Sequence, residues 1–186
     1  MHARRPTFWG ITLKTIVVHT ITYFAVGLFA FTIFDYSTRF AAPSISCFMR
    51  QTDDLLVAAG PLFQPIRGFL FGIVFYRLRD VLFRGRGGWF TMWVMLVLVG
   101  IFSTFGPAPG SVEGMIYTTL PIRGQLFGLI EVLLQSLLLS IVVTYWVDRT
   151  DSRWLNWILG ALFIIVLLLP ALGLFLGQFG TPSLGS

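Results

Sequence analysis

The chain has 186 residues, of which 56% are hydrophobic and only 11% are charged, and its formal net charge is +5. Soluble domains are roughly 45–50% apolar and about 25% charged. The composition therefore excludes an ordinary soluble domain and predicts an all-α integral membrane protein, a polytopic bundle of transmembrane helices. Only one of the thirteen basic residues is lysine, and membrane topology accounts for these charges, so we expect no nucleic acid among the partners.

Apolar segments of the length that crosses a bilayer, about 20 residues, recur along the chain. We predict about five spans: 11–34, a segment within 55–83, 89–105, 124–146 and 154–177. Lys14 lies close enough to the start of the first span for its side chain to snorkel to the headgroups. Pro170 interrupts the last span and is expected to be a kink or a tolerated break. We interpret residues 1–186 as a single membrane domain.

The distribution of basic residues predicts the orientation, because arginine and lysine concentrate on the cytoplasmic side of membrane proteins. With five spans, four arginines fall on one side and the other nine basic residues fall on the opposite side. We therefore expect a multi-pass protein of the bacterial inner (plasma) membrane, with a cytoplasmic N-terminus and the C-terminus outside. The nine predicted cytoplasmic residues are Arg4, Arg5, Lys14, Arg77, Arg79, Arg84, Arg86, Arg149 and Arg153.

An octapeptide occurs twice, as Pro-Ile-Arg-Gly-Phe-Leu-Phe-Gly at 65–72 and as Pro-Ile-Arg-Gly-Gln-Leu-Phe-Gly at 121–128. Two predicted crossings separate the copies, so both face the same side, as in a parallel repeat. We expect two helical hairpins, about 11–86 and about 88–147, followed by a final helix at about 154–177. Residues 65–84 should then superpose on 121–140. Pro65 and Pro121 either start or kink their helices, and the sequence leaves both possibilities open.

Arg67 and Arg123 occupy corresponding positions in the two copies. One interpretation is that they snorkel to outer-leaflet phosphates or cap the carbonyls of the preceding loop. The other is that they line a shared anion or carboxylate site at the interface of the repeats. We favour the first interpretation, and both arginines are candidate contacts for an anion or a lipid headgroup.

Four small or polar residues recur on one helical face of the predicted fourth span: Gly124, Gly128, Glu131 and Gln135. Small residues let a neighbouring backbone approach closely, so we expect this face to point into the protein. Glu131 is the only acid well inside a span, and an intramembrane carboxylate requires a partner or protonation. Arg79 is a candidate partner. We expect a structural role for this polar site, with a proton relay as the alternative.

His19 lies inside the first predicted span and completes the possible polar site. Haem commonly needs a second axial ligand, and His2 is the only other histidine, so we expect a hydrogen-bonded histidine at a helix interface. The sequence identifies no cofactor. Cys47 is the only cysteine, which excludes an intrachain disulfide. Asp53 and Asp54 are predicted to precede a helix, and we assign no metal site.

No catalytic motif is recognisable, and the Gly-Arg-Gly-Gly of 85–88 lacks the lysine of a phosphate loop. We therefore assign no catalytic residues and expect a non-catalytic accessory or scaffolding subunit of a multi-subunit bacterial membrane complex. A small homodimeric transporter or channel for an ion or anionic solute is the second hypothesis. An intramembrane lipid-modifying enzyme is the third. The expected partners are membrane lipids, together with other membrane subunits or a second copy of the chain.

Overall fold

A computed structural model describes residues 6–47, 49–83, 85 and 87–179, and these residues form α-helices joined by short turns and loops. No strand occurs in this part of the chain, which confirms the predicted all-α class. The helix Gly88–Val97 continues directly into a π-helical turn, Leu98–Phe102. The helices are α1 (Phe8–Phe34), α2 (Tyr36–Ala41), α3 (Pro43–Ser46), α4 (Leu55–Ala58), α5 (Gly60–Arg77), α6 (Arg79–Leu82), α7 (Gly88–Val97), α8 (Val112–Tyr117), α9 (Ile122–Asp148) and α10 (Arg153–Phe179).

Within the described residues, three helices are long and apolar enough to cross a membrane: Phe8–Phe34, Ile122–Asp148 and Arg153–Leu176. The other two predicted spans fall on shorter elements. The segment within 55–83 divides into α4, α5 and α6, and α5 has 18 residues, or about 27 Å of helix. The segment 89–105 corresponds to the apolar helix Gly88–Phe102. Four of the arginines used to predict the orientation, Arg4, Arg5, Arg84 and Arg86, lie outside the described residues.

The first helix, α1, is the centre of the bundle and packs against α5, α9 and α10. Its buried positions include several threonines, whose hydroxyl groups need hydrogen-bond partners in an apolar interior. Thr15 and Thr20 donate to the carbonyls of Ile11 and Ile16, each at 2.9 Å. This bonding within the helix lets polar side chains occupy a packed interface.

The first copy of the octapeptide provides the closest contact between α1 and α5. A Cβ atom added at Gly68 would lie 2.7 Å from the Cα of Ile16, and one at Gly72 would lie 2.8 Å from the Cα of Thr12. No side chain fits at these distances, so glycine is required at both positions. The spacing of four residues places both glycines on one face of α5, where they admit the backbone of α1.

The hydrophobic core lies mainly near the end of the bundle where α1 begins and α9 ends. Lys14, predicted to snorkel to headgroups, is instead almost fully buried there. Its ammonium group donates to the carbonyl of Trp146 at 2.7 Å and to the hydroxyl of Thr150 at 2.9 Å, because the last carbonyls of α9 lack partners within the helix. The core residues are Ile11, Val18, Phe75, Leu82, Met92, Leu96, Leu139, Val143, Trp146, Val147, Leu155 and Leu159.

The two octapeptide prolines occupy different helical positions. Pro65 is the sixth residue of α5, whereas Pro121 is the residue that precedes the first residue of α9. Pro170 lies inside α10, which continues past it. The predicted equivalence of 65–84 and 121–140 is not confirmed, because α5 and α9 begin at different points relative to the repeated sequence.

Candidate ligand-binding cavity

A cavity of about 900 Å³ lies at the end of the bundle away from Lys14. Its walls come from the second half of α1, from α2, from residues within 45–61 and from the first turns of α9. The α1 wall includes Tyr23, Phe24, Gly27, Leu28 and Phe31, which are spaced as one face of a helix. Because a helix rises 1.5 Å per residue, this wall extends about 12 Å along α1.

The α9 wall contains the second copy of the octapeptide. A Cβ atom added at Gly124 or Gly128 would meet no atom within 4 Å, and both residues are exposed and line the cavity. The prediction that these glycines admit a neighbouring backbone was therefore wrong for this chain. The space that the missing side chains leave is part of the cavity.

The buried face of α9 is offset by one residue from the predicted one. Its members include Gln125, Leu129, Ser136, Ser140 and Val143. One residue along a helix corresponds to a rotation of about 100°, so the predicted face, including Glu131 and Gln135, lies at the side of this packed stripe. Both of those side chains are half-buried. Glu131 lines the cavity, and Gln135 lies outside its lining.

Glu131 is bound by a tyrosine, and the predicted pair with Arg79 was wrong. The Tyr36 hydroxyl donates a hydrogen bond to the Glu131 carboxylate. Arg79 instead donates to the Tyr76 carbonyl at 3.0 Å and lies 4.4 Å from the centre of the Tyr76 ring. The physical reason is that the two residues lie at different levels of the bundle, because Arg79 follows the end of α5 whereas Glu131 lies in the first half of α9.

The short helix α2 carries Tyr36 to the cavity. Asp35 ends α1 in the left-handed conformation, with φ of 47°, and its carboxylate accepts hydrogen bonds of 2.7 Å from the hydroxyls of Ser37 and Thr38. These two bonds lower the pKa of Asp35. Burial and the Glu131 carboxylate raise the pKa of Tyr36, so its phenol remains a hydrogen-bond donor at neutral pH.

Arg39, also on α2, is a cation on the cavity wall. Its guanidinium carbon lies 4.9 Å from the ring centre of Phe127 and 5.8 Å from that of Phe34. Within the described part of the chain its side chain forms no hydrogen bond or ion pair. The sequence interpretation counted Arg39 only towards orientation, and no sequence signal distinguished it from the other loop arginines.

Arg50 is the other cavity arginine, and its charge is compensated. It forms an ion pair of 2.8 Å with Asp54, and this pairing is the main cause of the lowered pKa of Asp54. Asp54 also accepts the backbone N–H of Leu56 at 2.8 Å as the N-cap of α4. The prediction that an aspartate of the 53–54 pair precedes a helix is therefore confirmed.

His19 lies at the interface between α1 and α5, as expected for a packing histidine. Its Nε2 donates to the Gln64 side-chain oxygen at 3.2 Å, and its ring packs edge-on against Phe71 at 5.1 Å. Its Nδ1 is buried with no partner among the described residues. No cluster of metal-ligating side chains occurs in the part of the chain that the structure describes.

The two octapeptide arginines lie outside this cavity. Arg67 and Arg123 are both exposed, and neither belongs to the lining. The guanidinium of Arg67 lies 5.7 Å from the Phe71 ring centre. The two copies lie on α5 and α9, which both pack against α1. The predicted anion site between the copies stays a prediction.

Gln125 organises the loop at the edge of the cavity and was missed by the sequence interpretation. Its side-chain oxygen accepts the N–H of Gly110 at 3.1 Å, and its amide nitrogen donates to the carbonyl of Leu120 at 3.0 Å. Longer contacts of 3.4 Å join the same nitrogen to Gly114 and Thr118. Gln125 is only 2% exposed, so one buried amide connects residues 110–120 to α9.

Comparison of the chain with protein-family models, with curated proteins and with solved structures gives no match.

Proposed function

We propose that this chain is a non-catalytic integral membrane protein whose cavity beside α9 binds an amphipathic membrane molecule. The observation that carries the proposal is the open cavity of about 900 Å³, a size within the range of about 300–1,000 Å³ typical of small-molecule sites. Aliphatic and aromatic side chains form most of the α1 wall, and polar groups are few, as expected for an apolar ligand with one polar end.

The proposed topology has five crossings, a cytoplasmic N-terminus and an external C-terminus in the plasma membrane. Antiparallel contacts support it, since Phe8 packs on Tyr76 at 5.2 Å while Tyr23 lies near Gly60 at the other end of α5. The native thiol of Cys47 is exposed and should react with an impermeant maleimide in intact cells. In a Cys47→Ser background, a cysteine at Asp151 should react only after lysis. The reverse pattern would contradict this orientation.

Filling the cavity tests the binding proposal. Leucine at Gly128 has space to fit and would occupy the cavity, whereas leucine at Gly173 of α10 has equal space and lies outside the cavity. Native mass spectrometry with added dioleoyl phosphatidylcholine should detect less bound lipid on Gly128→Leu than on the wild type. Gly173→Leu should bind as the wild type does. Equal lipid retention by all three proteins would argue against the cavity as the site.

The accessory-subunit role is a second proposal, supported by the same pair of glycines. Gly124 and Gly128 have the four-residue spacing that lets transmembrane helices approach closely, and no helix of the described chain fills the space beside them. Purification in mild detergent should then recover a protein partner that Gly128→Leu loses and Gly173→Leu keeps. Recovery of the chain with lipid alone would favour the first proposal.

A further inference from the structure

We propose that the cavity selects a membrane lipid with an anionic headgroup and that Arg39 binds that headgroup. This inference rests on the proposed function, because it names the class of amphipathic ligand for the same cavity. Lipids with phosphate-based headgroups of net negative charge, such as phosphatidylglycerol, belong to this class.

The charges on the cavity wall favour an anion at Arg39. Arg50 is neutralised by Asp54 at 2.8 Å, whereas Arg39 has no carboxylate partner among the described residues. The Arg39 guanidinium carbon lies over the rings of Phe127 and Phe34. The Arg39 side chain donates no hydrogen bond to a described residue, so its five N–H donors remain able to bind a phosphate in two-pronged geometry.

The position of Arg39 along the bundle suits a headgroup above acyl chains. Arg39 lies on α2, which follows the end of the predicted first span at Phe34. The apolar wall of Phe31, Leu28 and Phe24 descends from there along α1 for about 10 Å. A lipid whose phosphate binds Arg39 would place its chains along this wall and beside Gly124 and Gly128.

Among the described residues that line the cavity, Glu131 is the acidic one, and its carboxylate is held by a hydrogen bond on the wall. It lies four residues, about one helical turn, beyond Phe127, whose ring contacts the Arg39 guanidinium. Its carboxylate accepts the Tyr36 hydroxyl. Two side chains of α2 thus face the cavity in different states: Tyr36 is bonded to the Glu131 carboxylate, and Arg39 has no carboxylate partner among the described residues.

A competition between two lipids tests the inference. Purified full-length protein is offered equal amounts of dioleoyl phosphatidylglycerol and dioleoyl phosphatidylcholine, and bound lipids are counted by native mass spectrometry. The wild type should retain phosphatidylglycerol in about fivefold preference, the effect of roughly one arginine near an anionic lipid. Arg39→Gln should bring the ratio close to equality, and Arg39→Lys should keep part of the preference. Arg149→Gln, which removes an arginine that also lies over a ring outside the cavity, should keep all of it.

The outcomes separate this inference from the proposed function. Equal retention of both lipids by wild type and by Arg39→Gln would overturn the headgroup assignment. If Gly128→Leu nevertheless abolished lipid binding, that result would still support the cavity as the binding site. Failure to retain either lipid would overturn both. Addition of inorganic phosphate should leave the preference unchanged, and displacement of phosphatidylglycerol by phosphate would identify a site for the free anion instead. Unchanged thermal unfolding of Arg39→Gln establishes that any lost preference arises in a folded protein.

Discussion

The two octapeptides, 65–72 and 121–128, are identical at seven of eight positions but differ in their packing. In the first copy, Gly68 and Gly72 bring α5 against the backbone of α1. In the second copy, Gly124 and Gly128 face open space and line a cavity. A small residue permits close approach without causing it, so the shape of the neighbouring helix decides whether the space becomes a contact or a cavity.

The chain before each copy explains much of the difference. Residues 60–64 are already helical, and the side chain of Gln64 bonds to the Gly60 carbonyl at 3.1 Å while it accepts from His19. Thr118 and Pro121 have ψ angles of 154° and 132°, so the second helix can begin only at Ile122. A residue before proline is disfavoured in helical conformation, and only the second copy follows that preference.

The largest expected effect comes from adding a side chain at a packed glycine of the first copy. Gly68→Leu would place a side chain where a Cβ alone comes within 2.7 Å of the Ile16 backbone. We expect this variant to lose about 3 kcal/mol or more of folding free energy, measured by unfolding in detergent. Gly124→Leu is the matched control and should unfold close to the wild type. Equal destabilisation by both variants would mean that the copies are packed alike.

The one position that differs between the copies gives the next largest effect. Gln125→Phe introduces the residue that the first copy has at Phe69, and it leaves the Gly110 N–H and the Leu120 carbonyl without their partners. We expect a loss of about 2–3 kcal/mol and faster proteolysis within 110–120. Gln135→Phe makes the same change on the same helix outside the loop contact and should cost less. Similar losses at both sites would remove the special role of Gln125.

Glu131 corresponds in the repeat to Phe75, a fully buried core residue. The amide oxygen of Glu131→Gln can still accept the Tyr36 hydroxyl, so we expect a change of about 1 kcal/mol or less. Tyr36→Phe removes the same bond from the other side, and the two changes should be non-additive in a double-mutant cycle. If a well-folded Glu131→Gln protein lost pH-dependent flux in liposomes, the transporter hypothesis would replace the binding proposal.

The smallest effect concerns the acid that anchors α2 beside the second copy. The pKa of Asp35 is lowered from its ordinary 3.8 by hydrogen bonds from Thr38 and Ser37. Its contribution to stability is therefore present above pH 3.8 and is lost as the pH falls through the lower folded-state value. Asparagine tolerates the left-handed backbone, so Asp35→Asn should be slightly less stable than wild type at pH 7. The difference should shrink in unfolding measured near pH 3, and a constant difference would contradict this assignment.

The sequence predicts the helical class, the membrane character and the interface position of His19 because these follow from composition and local bonding. The sequence does not predict which face of α9 lines the cavity. Glycine is compatible with both a packed and an open position, and the two candidate faces differ by one residue. The sequence also misses Arg39 and Gln125. Their roles depend on which rings and backbone groups the folded chain brings near them, and residue type alone carries no such information.

The buried ammonium group of Lys14 forms a contact that can be completed only late in synthesis of the chain. Its acceptor at Trp146 lies 132 residues further along the chain. At about 5–20 residues per second, those residues take roughly 7–26 s to synthesise. During that time the first helix has emerged but lacks the α9 carbonyl that receives its charge in the finished bundle. The contact between α1 and α5 can therefore form well before the Lys14 hydrogen bond, which must wait until translation approaches the end of α9.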